Sequence, residues 1–115
     1  MSPRFLLAAA LAAPAAFAAD APADAGPKAF STVLEAGRIH EECLHLDKGQ
    51  KRAFEWKADT AVDFNIHYHD GKEVFYPVKK DRQRLGKGTF RAKVAQDYCW
   101  MWTAKVQTKV DGTIR

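Results

Sequence analysis

Apolar and polar residues alternate most strictly over residues 61–78, on both sides of an Asp-Gly pair. Alternation with a period of two is typical of a β-strand with one buried face and one wet face. The apolar face carries Val62, Phe64, Ile66 and Tyr68. The polar face carries Asp63, Asn65, His67 and His69. Asp70-Gly71 predicts a type I′ turn, so the segment predicts a β-hairpin.

Shorter segments of the same kind recur along the rest of the chain at intervals of about ten residues. They cover residues 30–34, 38–46, 51–57, 89–95 and 98–106, with turn residues between them. The tail, 107–115, is expected to add an edge strand or to fray. This series predicts an all-β fold, a small antiparallel β-sandwich of jelly-roll-like type. A helix over 29–43 is the alternative.

The first 18 residues have the features of a secretory signal peptide. Arg4 precedes an apolar run over 5–13, Pro14 follows, and 16–18 fit a signal peptidase site. The run is shorter than the ~20 residues that a membrane span needs. We therefore predict a cleaved signal at 1–18, a disordered leader at 19–28 and one domain at 29–115. No later apolar run predicts a span, so the mature chain is expected to be soluble and periplasmic or secreted.

The two cysteines, Cys43 and Cys99, lie near opposite ends of the predicted domain. A domain of roughly 85 residues buries only a small core, and exported domains of this size commonly carry disulfides. An even count of two predicts one disulfide. Closing so long a loop is expected to stabilise the fold by ~4 kcal/mol.

The formal charge is +4 for the whole chain, and removal of Arg4 with the signal lowers it by one. A dense basic cluster over 79–87 is expected in a loop. Such a cluster is either a solvated loop or a contact for an anionic surface or partner. Nucleic acid is not an expected partner of an exported chain.

His67 and His69 stand two apart on the polar face, at a separation of roughly 6–7 Å, and are candidate ligands for one metal ion. Met101, with His40 or His45, would complete a copper site, because imidazole and thioether suit copper. A disulfide would consume the thiolates that blue-copper and zinc-thiolate sites require. The alternative is that the histidines are ordinary polar residues and that Met101 fills the core.

Trp100 and Trp102 share a strand face opposite Cys99 and Met101. Aromatic residues in strands usually belong to the core, but an open face would stack on a sugar or grip a peptide. Catalysis by a nucleophile is disfavoured, since Ser31 is the one serine after the signal and the cysteines are expected to be bonded. An acid–base pair of His67 with an aspartate would not be specific. No catalytic residue is predicted.

The order of several short motifs resembles the GOLD domain of emp24/gp25L/p24-type proteins. The matching pieces are Glu42-Cys43, Lys48-Gly49, 62–66, 70–74, 88–90 and 98–100. The resemblance implies a β-sandwich with a Cys43–Cys99 disulfide and a role in recognition. The family's Gly-x-Tyr-x-x-Cys-Phe-x-Asn ending appears here as residues 96–102, with the tyrosine next to the cysteine. The coiled coil, span and cytosolic tail of cargo receptors are not recognisable, which implies a soluble bacterial periplasmic type.

Together these features predict an exported, non-catalytic binding or interaction module of GOLD-like type, with an unidentified protein or ligand partner. A copper-binding or copper-handling protein that uses His67, His69 and Met101 is the alternative. It differs from the first hypothesis in requiring a cofactor.

Overall fold

Six β-strands make up the fold in the computed structural model, which describes residues 26–115. The strands are β1 Lys28–Leu34, β2 Ile39–Leu46, β3 Lys51–Asp70, β4 Glu73–Arg91, β5 Gln96–Ala104 and β6 Thr108–Ile114. All pairings are antiparallel. The all-β prediction is confirmed, and strands β1 and β2 occupy the segment of the alternative helix. The predicted signal and most of the predicted leader lie outside the described residues.

The strands form one sheet that curls into the two layers of the sandwich. Their order is β1-β6-β3-β5-β2, and β4 pairs with the other edge of β3. The first half of β3 pairs with β6 and the second half with β5, and the register of β3 against β4 shifts between Lys57 and Val62. Rows of side chains from the two halves therefore face each other across the core. Residues 26–115 include no helix that is long and apolar enough to cross a membrane.

Aromatic rings from both halves of the sheet meet in the core. Trp56, on the first half of β3, lies 6.2 Å from Trp102 of β5 in an edge-to-face arrangement. Phe54 lies 6.3 Å from Trp100 in the same way. These rings come from alternate positions, as the period-two pattern requires. The eight largest fully buried side chains are Trp100, Trp102, Tyr98, Leu46, Ile66, Ile114, Val62 and Val110.

Two glycines make room for aromatic rings on neighbouring strands. A Cβ on Gly86 of β4 would overlap Trp56 Nε1, and one on Gly112 of β6 would lie 2.6 Å from Phe30 Cζ. Gly86 pairs directly with Trp56, so the ring lies over the glycine backbone. Strand β4 continues through this position, although the sequence predicted that a strand begins only at residue 89.

Strands β3 and β4 correct three further expectations. The basic cluster at 79–87 lies within β4, not in a loop, because β4 pairs with β3 along most of its length. The predicted strand at 51–57 and the first arm of the hairpin are one strand, β3. Between the arms, Asp70 pairs with Glu73 and only Gly71 has a positive φ, of 61°. That pattern is typical of a type II′ turn, so the predicted type I′ turn is wrong.

The tail forms an internal strand. β6 lies between β1 and β3, where the sequence predicted an edge strand or a frayed end. Val110 and Ile114 are 0 and 1% exposed, so the tail contributes to the core.

An ion pair and a hydrogen bond of Asp63 stabilise the bend of the hairpin. Lys105 Nζ lies 2.8 Å from Asp63 Oδ2, and the Arg82 backbone N–H donates to Asp63 Oδ1 at 3.0 Å. Arg82 has a φ of 55°, an uncommon value for a residue with a side chain. Lys105 and the Arg82 amide stabilise the carboxylate and lower the pKa of Asp63.

Candidate functional site

The outer face of β2, β5 and β3 gathers polar side chains into two cross-strand rows. In one row Asn65 pairs with Met101, and Met101 pairs with Glu41. In the next row His67 pairs with Cys99, and Cys99 pairs with Cys43. We use the name outer patch for these residues together with two hairpin residues beside them. Its members are Glu41, Cys43, Asn65, His67, His69, Tyr76, Cys99 and Met101.

His67 is the centre of the outer patch. It is only 5% exposed although it lies opposite the core face of β3. Its Nδ1 atom lies 2.7 Å from Asn65 Oδ1. Because an amide oxygen only accepts, Nδ1 carries the proton and Nε2 carries the lone pair in the neutral ring. Burial lowers the pKa of His67, and the nearby Glu41 carboxylate opposes this effect. His67 is therefore held neutral in one tautomer.

Glu41 reaches across β5 toward this lone pair. Its Oε1 atom lies 3.4 Å from His67 Nε2 and 3.5 Å from Cys43 Sγ. The sulfur belongs to the Cys43–Cys99 disulfide and carries no hydrogen, so it cannot donate. Among residues 26–115, Glu41 and the two cysteines are the group of three potential ligands whose donor atoms lie within 4.8 Å of one another. Since the disulfide consumes both thiolates, these three do not form a thiolate site.

The structure brings some of the predicted metal ligands together and separates others. The His69 and His67 ring centroids are 5.2 Å apart, and Met101 shares their face. His40 faces the core side, where its ring stacks on Phe30 at 4.5 Å. His45 is held by Asp97 at 2.8 Å and by Asp47 at 3.1 Å. His67, His69 and Met101 therefore share the outer patch, and His40 does not.

The tryptophans predicted as a possible binding face are core residues. Trp100 and Trp102 are 0 and 1% exposed. The sequence left both a core role and an open binding face as interpretations, and the structure shows the core role.

Sequence reasoning missed Glu41 and Asn65. Asn65 lies on the same predicted wet face as His67, so the alternation alone points to it. Glu41 needed the register between β2 and β5, which follows once Cys43 is placed opposite Cys99. Both residues were detectable by combining the strand pattern with the disulfide.

A second feature, which we call the hairpin groove, lies between the two ends of β4 and the segment after it. It has a volume of about 400 Å³. Its aromatic and aliphatic lining includes Tyr68, Phe75, Val78, Phe90, Val94 and Tyr98. The Tyr98 hydroxyl donates to the Val94 carbonyl at 2.7 Å and so holds the segment after β4 in place.

The hairpin groove is open and bordered by cations. Phe75 is 40% exposed and Val94 is 44% exposed, which is unusual for large apolar side chains. Arg91 and Lys93 also line the groove, and neither forms an ion pair with any other residue of 26–115. The groove therefore presents aromatic surface beside free positive charge.

We expect the pKa of His67 to lie below the ordinary histidine value of 6.5 and the pKa of His45 to lie above it. Burial lowers the pKa of His67, so its contribution to stability is complete above pH 6.5 and is lost as the pH falls toward its folded value. Hydrogen bonds to Asp97 and Asp47 raise the pKa of His45, so its contribution is present below pH 6.5 and is lost as the pH rises.

The measurement is an NMR titration of the imidazole Cε1–H signals, with chelator present. Glu41→Gln should lower the pKa of His67 further, because it removes the carboxylate that favours the charged ring. The same substitution should leave His45 unchanged. A His67 pKa above that of His45, or one that rises in Glu41→Gln, would contradict the geometry.

Comparison with known proteins finds similarity in structure alone. No protein-family model matches the sequence, and no curated protein matches it. The fold is similar to the crystal structure of Aeromonas hydrophila PliG, a periplasmic lysozyme inhibitor of g-type lysozyme. The two are 10% identical, with a TM-score of 0.45, over 77% of this chain and 86% of that chain. A similarity of this extent assigns no function.

Proposed function

We propose that this chain is an exported, non-catalytic binding module that takes a protein partner in the hairpin groove. The observation that carries the proposal is the open aromatic groove with unpaired cations at its border. Exposed aromatic and aliphatic side chains in a concave site are typical anchors for a partner. Export rests on the signal pattern at 1–18, and a periplasmic location is part of the proposal.

The charge of β4 favours an acidic partner segment. Strand β4 carries six Lys and Arg residues against Glu73 and Asp81. It pairs only with β3 in the part of the chain that the structure describes, so the other edge of β4 has backbone groups free to pair. An extended acidic segment can add to such an edge and place apolar side chains in the groove. A second copy is disfavoured there, because edge-to-edge pairing would oppose two basic strands.

The placement of nucleophiles supports a role without catalysis. Both cysteines are bonded to each other. Ser31 lies on β1 and pairs with Asp111, on the opposite half of the sheet from His67. The histidine with the most constrained geometry therefore has no serine or thiol beside it.

We also propose that the domain is of GOLD type. The antiparallel sandwich and the cross-strand Cys43–Cys99 disulfide support this assignment. The resemblance of the motif series remains its main basis.

The test places a photo-crosslinking amino acid at Phe75 in the exported protein in intact cells, with Leu85 as the matched control. Leu85 is 69% exposed and lies on the same strand, but it does not line the hairpin groove. A crosslinked protein is then purified, and its affinity for the wild type, Phe75→Ala, Lys93→Glu and Leu85→Ala is measured by calorimetry.

Loss of an anchor should weaken binding by about tenfold or more in Phe75→Ala. Lys93→Glu should weaken binding most at low salt, because charge attraction is screened by salt. Leu85→Ala should bind like the wild type. Equal affinity of all four proteins would exclude the hairpin groove as the binding site.

A further inference from the structure

The outer patch brings a ring nitrogen of His67 and a carboxylate oxygen of Glu41 within 3.4 Å of each other. In the neutral ring, His67 Nε2 carries a lone pair because Nδ1 donates to Asn65 Oδ1. Glu41 Oε1, 3.4 Å away, also offers only lone pairs. That distance is longer than the usual range of about 2.7–3.2 Å for a hydrogen bond. Two such atoms are stabilised by a cation placed between them.

We propose that the outer patch binds one copper ion through His67 Nε2, the Glu41 carboxylate and the Met101 thioether. Nitrogen and oxygen ligands lie about 2.0–2.2 Å from a first-row metal ion, so two ligands in tetrahedral geometry are about 3.4 Å apart. The separation of His67 Nε2 and Glu41 Oε1 is 3.4 Å. The two atoms are therefore spaced for one shared ion.

Met101 gives the site its preference for copper. It stands between Asn65 and Glu41 in the cross-strand row and is partly buried on the same face as His67. A thioether is a soft ligand that favours copper, whereas magnesium and calcium take oxygen ligands. Among the divalent first-row ions, copper also binds nitrogen and oxygen sites most tightly. Zinc is the natural competitor.

The surroundings of His67 support a ligand role. Metal-binding histidines commonly donate their second N–H to a carbonyl or carboxylate, which fixes the ring and its tautomer. Asn65 supplies this contact at 2.7 Å. His69 stands beside the ring at 5.2 Å between centroids and lies at the exposed end of the patch. It is placed to receive the ion from solvent.

This site differs from the ligand set that the sequence suggested. Glu41 takes the place of His40 or His45, because His40 faces the core side and His45 is held by two aspartates. His69, a ligand in the set from the sequence, lies beside the His67 ring and is not among the three proposed ligands. The proposal does not depend on the hairpin groove, so either can fail without the other.

The test is calorimetric titration of the chelator-treated, oxidised full chain with copper(II) sulfate, and with copper(I) in competition with bicinchoninate. We expect one ion per chain. Glu41→Gln and Met101→Leu, which preserve side-chain size, should each weaken binding by about tenfold or more, and Asn65→Ala should weaken it by about 10–100-fold through loss of ring orientation. His45→Ala is the matched control and should bind like the wild type.

Native mass spectrometry of the same proteins reports stoichiometry, and circular dichroism reports the fold of each variant. A wild type that binds neither oxidation state of copper overturns the proposal. So does copper binding that survives Glu41→Gln and Met101→Leu but is lost in His45→Ala, which would place the ion at the aspartates. Zinc sulfate binding more tightly than either copper species overturns the assignment of the metal.

Discussion

Replacing both cysteines with serine should lower the free energy of unfolding by about 4 kcal/mol. Cys43 and Cys99 are separated by 56 residues in sequence, and the disulfide restricts the unfolded chain over that whole loop. The chain-entropy relation gives this magnitude for a loop of such length. The bond also joins β2, a terminal strand in the sheet order, to its neighbour β5.

Urea unfolding followed by tryptophan fluorescence is the measurement, at one pH and with wild type, reduced wild type and the Cys43→Ser, Cys99→Ser double variant. Reduced wild type should unfold at the same urea concentration as the double variant, because both lack the bond. The control is Ser31→Ala, an exposed change that should shift stability by less than about 0.5 kcal/mol. A double variant as stable as the oxidised wild type would show that the disulfide does not stabilise the fold.

Trp100→Ala should lower the free energy of unfolding by about 3–5 kcal/mol. The indole is 0% exposed and makes edge-to-face contacts with Phe90 at 5.6 Å and Phe54 at 6.3 Å. Because these rings come from the first half of β3, the second half of β4 and β5, removing Trp100 leaves a cavity where these strands meet. Strands β3 and β5 are fixed by pairing on both sides, so the cavity can close only in part.

Two variants separate packing from other effects, and thermal and urea unfolding measure all three. Trp100→Phe should cost less than Trp100→Ala, since it keeps an aromatic ring and removes an indole N–H that has no hydrogen-bond partner among residues 26–115. Leu85→Ala, at a residue that is 69% exposed, should be close to neutral. If Trp100→Ala were no more destabilising than Leu85→Ala, Trp100 would not be part of the core.

Local pattern was sufficient for much of the fold. The alternation at Val62, Phe64 and Ile66 placed these residues in the core, and all three are at most 2% exposed. The same alternation placed His67 on the other face. Counting cysteines in a chain expected to be exported predicted the Cys43–Cys99 disulfide that the structure contains.

Pairing between strands that are far apart in the sequence explains the features that the local pattern missed. The sequence predicted a loop over 79–87, yet Gly86 belongs to β4, where the Trp56 ring of β3 lies over it. The sequence predicted an edge strand or a frayed end for the tail, but β1 pairs with the outer side of β6. In both cases the deciding partner is distant in the sequence, and a period-two pattern contains no information about which strand lies beside which.

The features of the candidate site also fall into those that the local sequence predicted and those that long-range pairing decided. The sequence by itself determined the all-β class, the wet face that carries His67 and His69, and the disulfide, because side-chain alternation and cysteine chemistry act through neighbouring residues and residue type. Only the tertiary structure decided that Glu41, not His40, approaches His67, and that Phe75 and Tyr98 meet in an open groove. Strand register and the bend of β3 and β4 set those distances, and both arise from packing between residues that are far apart in the chain.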